Sequence, residues 1–131
     1  MNVLLDTHSL LWALYFPGNL GKRAFEVIGN ESNNIYVSAA SLWEIEIKHQ
    51  KRPDSMPYSA AEVREAIGKA GYRIIPIAPR HIESLGRFIS QNIHNDPFDH
   101  LLLATAFADQ LTLLTHDSVL PSYRGVAVEH C

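Results

Sequence analysis

The chain has 131 residues, of which 47% are hydrophobic, and a formal net charge of −3 at pH 7. This length suits one domain over residues 1–131, and the single cysteine, Cys131, excludes a disulfide framework and is predicted to be a tail residue. With no basic leader and no apolar run near the ~20 residues that span a bilayer, we expect a cytoplasmic protein outside the membrane, to which the net charge gives no general attraction for nucleic acid.

The first half of the chain alternates buried strands with amphipathic helices. Val3-Leu4-Leu5 is a continuous apolar run that ends at Asp6, as expected for a strand covered on both faces of a parallel sheet. Ser41 and Glu44 have the spacing of a capping box, with Ser41 as the cap of a third helix. The elements predicted in order are a strand at 3–5, helices at 7–15 and 20–28, a strand at 35–37, and this third helix.

The second half continues the same alternation. Ser59 and Glu62 form another capping-box pattern. The predicted elements are a helix after Ser59, a strand around Ile74-Ile75, a helix over 82–89, the helix after Asn95, a strand at 111–115 and a short last strand at 126–128. Strands that alternate with helices predict a three-layer α/β/α sandwich around a mostly parallel sheet of four to five strands.

The helix that follows Asn95 is predicted to lie in the middle of the protein. From Leu101 to Ala108 it is apolar on nearly every side, Thr105 excepted, which is typical of a helix surrounded by protein. Asp96 is placed to cap the free amides, Pro97 suits the first helical position, and Asp99 lies in the first turn. A buried helix therefore begins with two carboxylates.

Acidic residues follow the predicted strands at one edge of the sheet. Asp6 ends the first strand and Asp117 follows the fourth, while Glu44 and Asp99 lie early in helices that pack on the sheet. The loops at the carboxyl ends of parallel strands open on one edge, where ligands bind. Helix capping explains each acid taken singly. Since Ser, Thr, Asn and Asp cap about equally well, however, the probability that capping alone places aspartate at positions 6, 96 and 117 is only about one in sixty.

Such a cluster predicts a bound cation. Carboxylates crowded together repel one another, which raises their pKa values and destabilises the fold. A hard divalent ion removes that cost, and Mg²⁺ or Mn²⁺ prefers oxygen ligands and retains water for chemistry. A site of this kind suits the hydrolysis of phosphodiesters.

Four stretches, in order along the chain, resemble a known family. They are LLDTHSLLW at 4–12, YVSAASLWEI at 36–45, DPFDHLLLATA at 96–106 and LLTHD at 113–117. Together they resemble PIN-domain proteins, and specifically the VapC-type toxins of bacterial toxin-antitoxin pairs. The resemblance covers essentially the whole chain.

The resemblance implies an endoribonuclease that uses Mg²⁺ or Mn²⁺ to cut RNA. It places the metal-holding and catalytic acids at four positions: Asp6, Glu44, Asp99 and Asp117. Supporting roles fall to Asp96, Thr115 and Ser38. It further implies a homodimer and a cognate VapB-like antitoxin whose tail blocks the site.

His100 departs from the pattern, because family members commonly carry arginine directly after the third acid. A neutral imidazole is a poorer partner for phosphate than a guanidinium. We therefore expect substrate binding or the local charge balance to differ from that of family members with arginine here. The three histidines beside candidate ligands, His8, His100 and His116, lack the spacing of a zinc pair and are predicted to be supporting or structural residues.

Two surface features have open interpretations. Lys48, Lys51 and Arg52 form the densest basic cluster of the chain, either a solvated helix end or a contact for RNA phosphates. The first helix is rich in aromatic residues, and Leu11, Trp12 and Tyr15 belong either to the antitoxin groove or to the core.

Other functional classes fit less well. A phosphoacceptor receiver domain needs an acidic pair at the first strand and a lysine after the last strand, and this chain has neither. A haloacid-dehalogenase-type phosphatase needs a second aspartate at the position that His8 occupies. A catalytically silent PIN-fold module that binds RNA or an antitoxin is the main alternative, and the presence of all four acids argues against it.

Overall fold

The computed structural model describes residues 1–130, so Cys131 lies outside the described residues. Strands β1 to β5 lie at Asn2–Leu5, Asn34–Ser38, Arg73–Ile75, Thr112–Thr115 and Val128–His130. Helices α1 to α7 span Thr7–Tyr15, Lys22–Gly29, Ala39–Lys51, Ala60–Ala70, Pro79–Glu83, Gly86–Ile89 and Pro97–Ala108, and short 3₁₀ helices occur at Pro17–Asn19 and Leu120–Ser122.

The five strands form one parallel sheet in the order β3-β2-β1-β4-β5. The first strand is therefore the central one, paired with β2 on one side and β4 on the other. Because all the strands run the same way, the residues that follow β1, β2 and β4 emerge at one edge. The predicted parallel α/β class is confirmed.

Helices cover both faces of the sheet because successive strand residues point to opposite sides. Val3 and Leu5 belong to a core cluster with Ile45 of α3, together with residues of α1, α2 and α4. Leu4, between them, belongs to a second cluster with Phe88 and residues of α7. The predicted three-layer sandwich follows from this alternation.

The predicted central helix is confirmed as α7. Every residue from His100 to Ala106 is buried. Asp96 caps its start, and its Oδ1 accepts hydrogen bonds from the amides of Phe98 at 2.9 Å and Asp99 at 3.3 Å. Asp99 is thereby fixed in the first turn, at the edge of the sheet where the loops open.

Three local predictions were wrong. The third helix begins at Ala39, where the Ser38 hydroxyl accepts the Ala40 amide at 3.0 Å, so Ser41 and Glu44 do not form its capping box. The helix predicted over 82–89 is split into α5 and α6, because the amides of the intervening residues bond three residues back and tighten the turn. The last strand begins at Val128, two residues later than predicted.

Within residues 1–130, none of the helices is long enough and apolar enough to cross a membrane.

Candidate active site

A cleft of about 670 Å³ opens where α1, α3 and α7 meet the carboxyl edge of the sheet. Its lining includes all four acids predicted from the sequence, Asp6, Glu44, Asp99 and Asp117. They come from four separate parts of the chain and are brought together by the parallel strand order. Lys48 is the one basic side chain among the described residues that line the cleft, histidines aside.

Asp6 is the most firmly held of the four acids. It is buried at the end of β1, and its Oδ1 accepts the Ser9 amide at 2.8 Å, which caps α1. Its Oδ2 accepts the Thr115 hydroxyl at 2.5 Å and the His116 amide at 3.2 Å. Two strands that are adjacent in the sheet therefore fix the orientation of this carboxylate.

Thr115 connects two of the acids. While its hydroxyl donates to Asp6, the same oxygen accepts the amide of Asp117 at 2.9 Å. Thr115 is fully buried, so both bonds are shielded from water. The supporting position predicted for Thr115 thus corresponds to a direct link between Asp6 and the Asp117 backbone.

Glu44 is oriented by contacts from two helices. The Thr7 hydroxyl donates to its Oε1 at 2.6 Å, and Lys48 Nζ pairs with its Oε2 at 2.8 Å. Thr7 also lies 3.0 Å from the hydroxyl of the buried Ser41. Thr7 was not predicted as a site residue, because its only signal in the sequence was its position next to Asp6.

Asp99 has the most perturbed electrostatics of the site. Burial, as the largest cause, and the negative charges of the other acids, Asp96, Asp117, Asp6 and Glu44, together raise its pKa from 3.8 to about 7. Lys48 is already paired with Glu44 and leaves this charge uncompensated. A cluster that holds one carboxyl half-protonated near neutral pH is suited to a cation.

His94 is a second site residue that sequence reasoning missed. Its Nε2 is buried 3.4 Å from Asp99 Oδ2, and it makes no hydrogen bond within the described chain. One ligand atom each from His94, Asp99 and Asp117 lie within 4.8 Å of one another, close enough to share an ion. His94 lies in the irregular loop before α7, where no spacing pattern marks it.

The tautomer of His94 argues against direct coordination by its ring. Its Nδ1 lies 3.1 Å from the amide of Asp96, which can only donate, so Nδ1 accepts and the ring hydrogen is on Nε2. Nε2 therefore presents N–H, not a lone pair, to Asp99. His94 is therefore a partner of the Asp99 carboxylate, and the carboxylate oxygens are the candidate metal donors.

His100 does not line the cleft but packs behind the His94 loop. It is buried, and its Nε2 donates to the carbonyl of His94 at 2.8 Å and lies 3.2 Å from the Tyr123 hydroxyl. Its ring stacks on that of His94, with centroids 5.7 Å apart. The expected effect of His100 on substrate grip therefore has to act through the His94 loop.

The remaining predicted site residues are dispersed. Ser38 is buried as the cap of α3 and does not line the cleft, and Asp96 caps α7. Of the basic cluster, Lys48 lines the cleft, while Lys51 and Arg52 are exposed at the far end of α3. Contact with RNA by Lys51 and Arg52 stays a prediction.

The aromatic helix contributes directly to the cleft. Leu11 and Trp12 line it, whereas Tyr15 stacks on Tyr58 with centroids 3.9 Å apart. Tyr58 is itself part of the lining. Binding of an antitoxin by Leu11, Trp12 and Tyr15 stays a prediction.

The donor set of the cleft fits Mg²⁺ or Mn²⁺. Four carboxylates offer hard oxygen ligands, and their mutual repulsion adds to burial in raising the pKa of Asp99. A divalent cation would reduce this repulsion.

Comparisons with known proteins agree with this fold. A family model described as PIN domain matches residues 3–126. No curated protein sequence gives a significant match. Among solved structures, VapBC2 from Rickettsia felis bound to a promoter DNA fragment gives a TM-score of 0.73 at 15% identity, covering 100% of this chain and 99% of that chain.

Two further structures have the same fold. DNA-bound VapBC from Salmonella typhimurium gives a TM-score of 0.73 at 15% identity, covering 99% of this chain and 98% of the other. A toxin-antitoxin complex from Klebsiella pneumoniae gives a TM-score of 0.60 at 21% identity, covering 97% and 95%. Because the PIN-domain family model matches residues 3–126, nearly the whole chain, this protein belongs to the PIN-domain family.

Proposed function

We propose that the protein is an endoribonuclease that depends on Mg²⁺ or Mn²⁺ and acts as a VapC-type toxin. The observation that carries the proposal is the convergence of four carboxylates in one cleft, with the pKa of Asp99 raised to about 7 by burial and by the other acids. A purely structural cluster would be balanced by basic side chains. Here the cleft offers Lys48, and it is paired with Glu44.

Each acid has a distinct task in this proposal. Asp6 and Asp99 would hold the cation, Asp6 in an orientation fixed by its hydrogen bonds and Asp99 in its deprotonated form. Asp117 and Glu44 complete the negative surface that orients water for in-line attack. The bound cation supplies the positive charge that activates this water and stabilises the leaving oxygen.

The proposed partners rest on resemblance. The matched solved structures are of toxin-antitoxin complexes, and the four sequence blocks resemble VapC-type toxins. We therefore include in the proposal a VapB-like antitoxin that blocks the cleft, a homodimeric assembly and a cytoplasmic location.

The test is cleavage of total cellular RNA by purified protein free of antitoxin, with Mg²⁺, Mn²⁺ or EDTA. The informative variant is Asp99→Asn, because it removes a charge that the fold does not need and relieves repulsion. We expect it to fold at least as stably as the wild type and to lose cleavage. Asp54→Asn, which alters an exposed acid outside the cleft lining, is the matched control.

Two results would contradict the proposal. Cleavage that persists in EDTA would exclude the metal-dependent reaction. No cleavage with either ion, in protein shown to be folded, would favour the catalytically silent module that binds RNA or antitoxin.

A further inference from the structure

Three aromatic rings form a cluster at one wall of the cleft. His8 and Trp12 are one turn apart on α1, with ring centroids separated by 4.9 Å. His116, which follows β4, lies with its ring centroid 4.3 Å from Trp12 and 4.9 Å from His8. We call these three residues the aromatic platform.

The platform is attached to the acids. His8 is two residues after Asp6 in the first turn of α1, and the backbone amide of His116 donates to Asp6 Oδ2 at 3.2 Å. All three rings line the same cleft as Asp6, Asp99 and Asp117. A group bound on the platform is therefore next to whatever the acids hold.

The core does not require these rings. His8 and His116 are exposed, Trp12 is only half-buried, and none of the three belongs to either buried core cluster. Their imidazole and indole rings are flat and carry polar N–H edges, so they remain compatible with water when the cleft is empty. The contact of three such rings beside a cluster of acids therefore indicates a role other than stabilising the fold.

The negative charge of the cleft indicates which part of a nucleotide the platform would contact. Four carboxylates line the cleft against one lysine, which is already paired, so the walls repel the phosphates of RNA wherever no cation lies between them. Binding energy away from the cation has to come from the uncharged parts of the substrate. Nucleobases supply it by stacking on aromatic rings, and a base exposes its face to a protein only when it is not stacked within a duplex.

We propose that the aromatic platform stacks an unpaired nucleobase that neighbours the scissile phosphodiester. The inference rests on the proposed nuclease function and adds to it the residues that bind a base beside the cleaved bond: His8, Trp12 and His116. Because every base has a stacking face, the platform selects for unpaired structure more than for a particular base. It assigns Trp12 to the substrate instead of to an antitoxin.

The chain offers a direct reporter of this contact. It has two tryptophans, Trp12 and Trp43, so Trp43→Phe leaves the platform indole as the sole tryptophan. The probe is a single-stranded oligoribonucleotide with 2′-O-methyl groups that resist cleavage, titrated in Mg²⁺. We expect saturable quenching of Trp12 fluorescence, which disappears when the same oligonucleotide is annealed to its complement.

Kinetics with cleavable RNA provide the second arm. We expect Trp12→Leu and His116→Leu to raise KM about tenfold, the loss of roughly one base–aromatic stack, with kcat little changed. His116→Leu retains the backbone amide that binds Asp6, so it tests the ring without disturbing the acid. Trp43→Leu is the matched control, since Trp43 is exposed, packs on Phe98 and lies outside the cleft lining.

The outcomes separate the platform from the nuclease itself. Wild-type protein that cleaves RNA while both platform variants keep its KM, with no quenching of Trp12, would overturn the platform and leave the nuclease standing. Variants that keep the KM for RNA but lose affinity for an antitoxin would assign the rings to that partner. Wild-type protein that neither binds nor cleaves RNA would overturn both proposals.

Discussion

The imidazole of His94 lies with Nε2 3.4 Å from Oδ2 of Asp99, the carboxyl whose pKa is the most displaced in the site. The amide of Asp96 donates to the other nitrogen of the same ring and fixes the hydrogen on Nε2. The carbonyl of His94 is held in turn by His100, and its amide donates to the Tyr123 hydroxyl. A loop without regular structure thus presents one N–H group to one of the four acids of the cleft.

The His94 tautomer can be observed directly. We expect the ¹⁵N chemical shifts of its ring to report a neutral imidazole with hydrogen on Nε2, both before and after addition of Mg²⁺. If Nε2 coordinates the cation instead, the hydrogen moves to Nδ1 and the two shifts exchange on titration. His81 is the internal control, because its Nδ1 also accepts a backbone amide, from Ala78 at 3.0 Å, far from the cleft.

Binding of Mg²⁺ should depend on pH through Asp99. Since the pKa of Asp99 is about 7 without the cation, a proton competes with the metal below that pH. We expect the affinity for Mg²⁺, measured by calorimetry, to fall by up to about tenfold per pH unit below pH 7. An affinity that stays flat between pH 5 and 7 would contradict this assignment.

The same displaced pKa affects the stability of the metal-free protein. A carboxyl whose folded-state pKa is raised favours the folded state at low pH, and this contribution is lost as the pH rises from about 4 to about 7. We expect the Tm of the wild type in EDTA to decline over this range and that of Asp99→Asn to decline less. Added Mg²⁺ should restore the wild-type Tm at pH 7 and affect the variant weakly.

Thr115→Val should uncouple two of the acids. The substitution keeps the shape of the side chain but removes the hydroxyl that donates to Asp6 and accepts from Asp117. We expect metal affinity or cleavage to fall roughly 10- to 100-fold, as for other residues that orient metal ligands, and the free energy of unfolding to fall by about 1–3 kcal/mol. Thr105→Val is the control, because that hydroxyl bonds only the Leu101 carbonyl of its own helix; an equal loss of activity there would refute a specific role for Thr115.

A second charged cluster, away from the cleft, should affect stability alone. Arg80 binds Asp109 through two hydrogen bonds of 2.7 and 3.1 Å, and the buried His81 ring contacts the same carboxylate at 2.9 Å. These contacts, that from Arg80 foremost, lower the pKa of Asp109, so its contribution to stability is lost on acidification. We expect Asp109→Ala to lower the free energy of unfolding by about 1–3 kcal/mol at pH 7 and to leave Mg²⁺ affinity unchanged.

Much of the fold and of the acid cluster is encoded in short-range patterns. An apolar run such as Val3–Leu5 identifies a buried strand, and its final residue, Asp6, is then placed at the ligand-binding edge by the parallel order alone. The strong start of α7, with Asp96 and Pro97, fixes Asp99 in the same way. These residues were predictable because their positions depend on one element each.

The features that were missed depend on contacts distant in sequence. His94 faces Asp99 because Tyr123, 29 residues later, holds the loop backbone, and no local pattern indicates that contact. Similarly, Glu44 has the spacing of a helix cap, yet it bonds Thr7, 37 residues away, because α1 packs against α3. Local spacing cannot decide between a partner within the helix and one that only the fold provides.

The hydrogen bond between Thr115 and Asp6 spans 109 residues of sequence, and this has a consequence during protein synthesis. When a ribosome has joined the first hundred residues, the growing chain contains Asp6, Glu44 and Asp99. Strand β4 and Thr115, which bring these acids together, have not yet been synthesised. The growing chain therefore lacks an assembled cleft. If the protein is the RNA-cutting toxin proposed above, this strand order keeps it harmless to its own messenger RNA until nearly all of it has been translated.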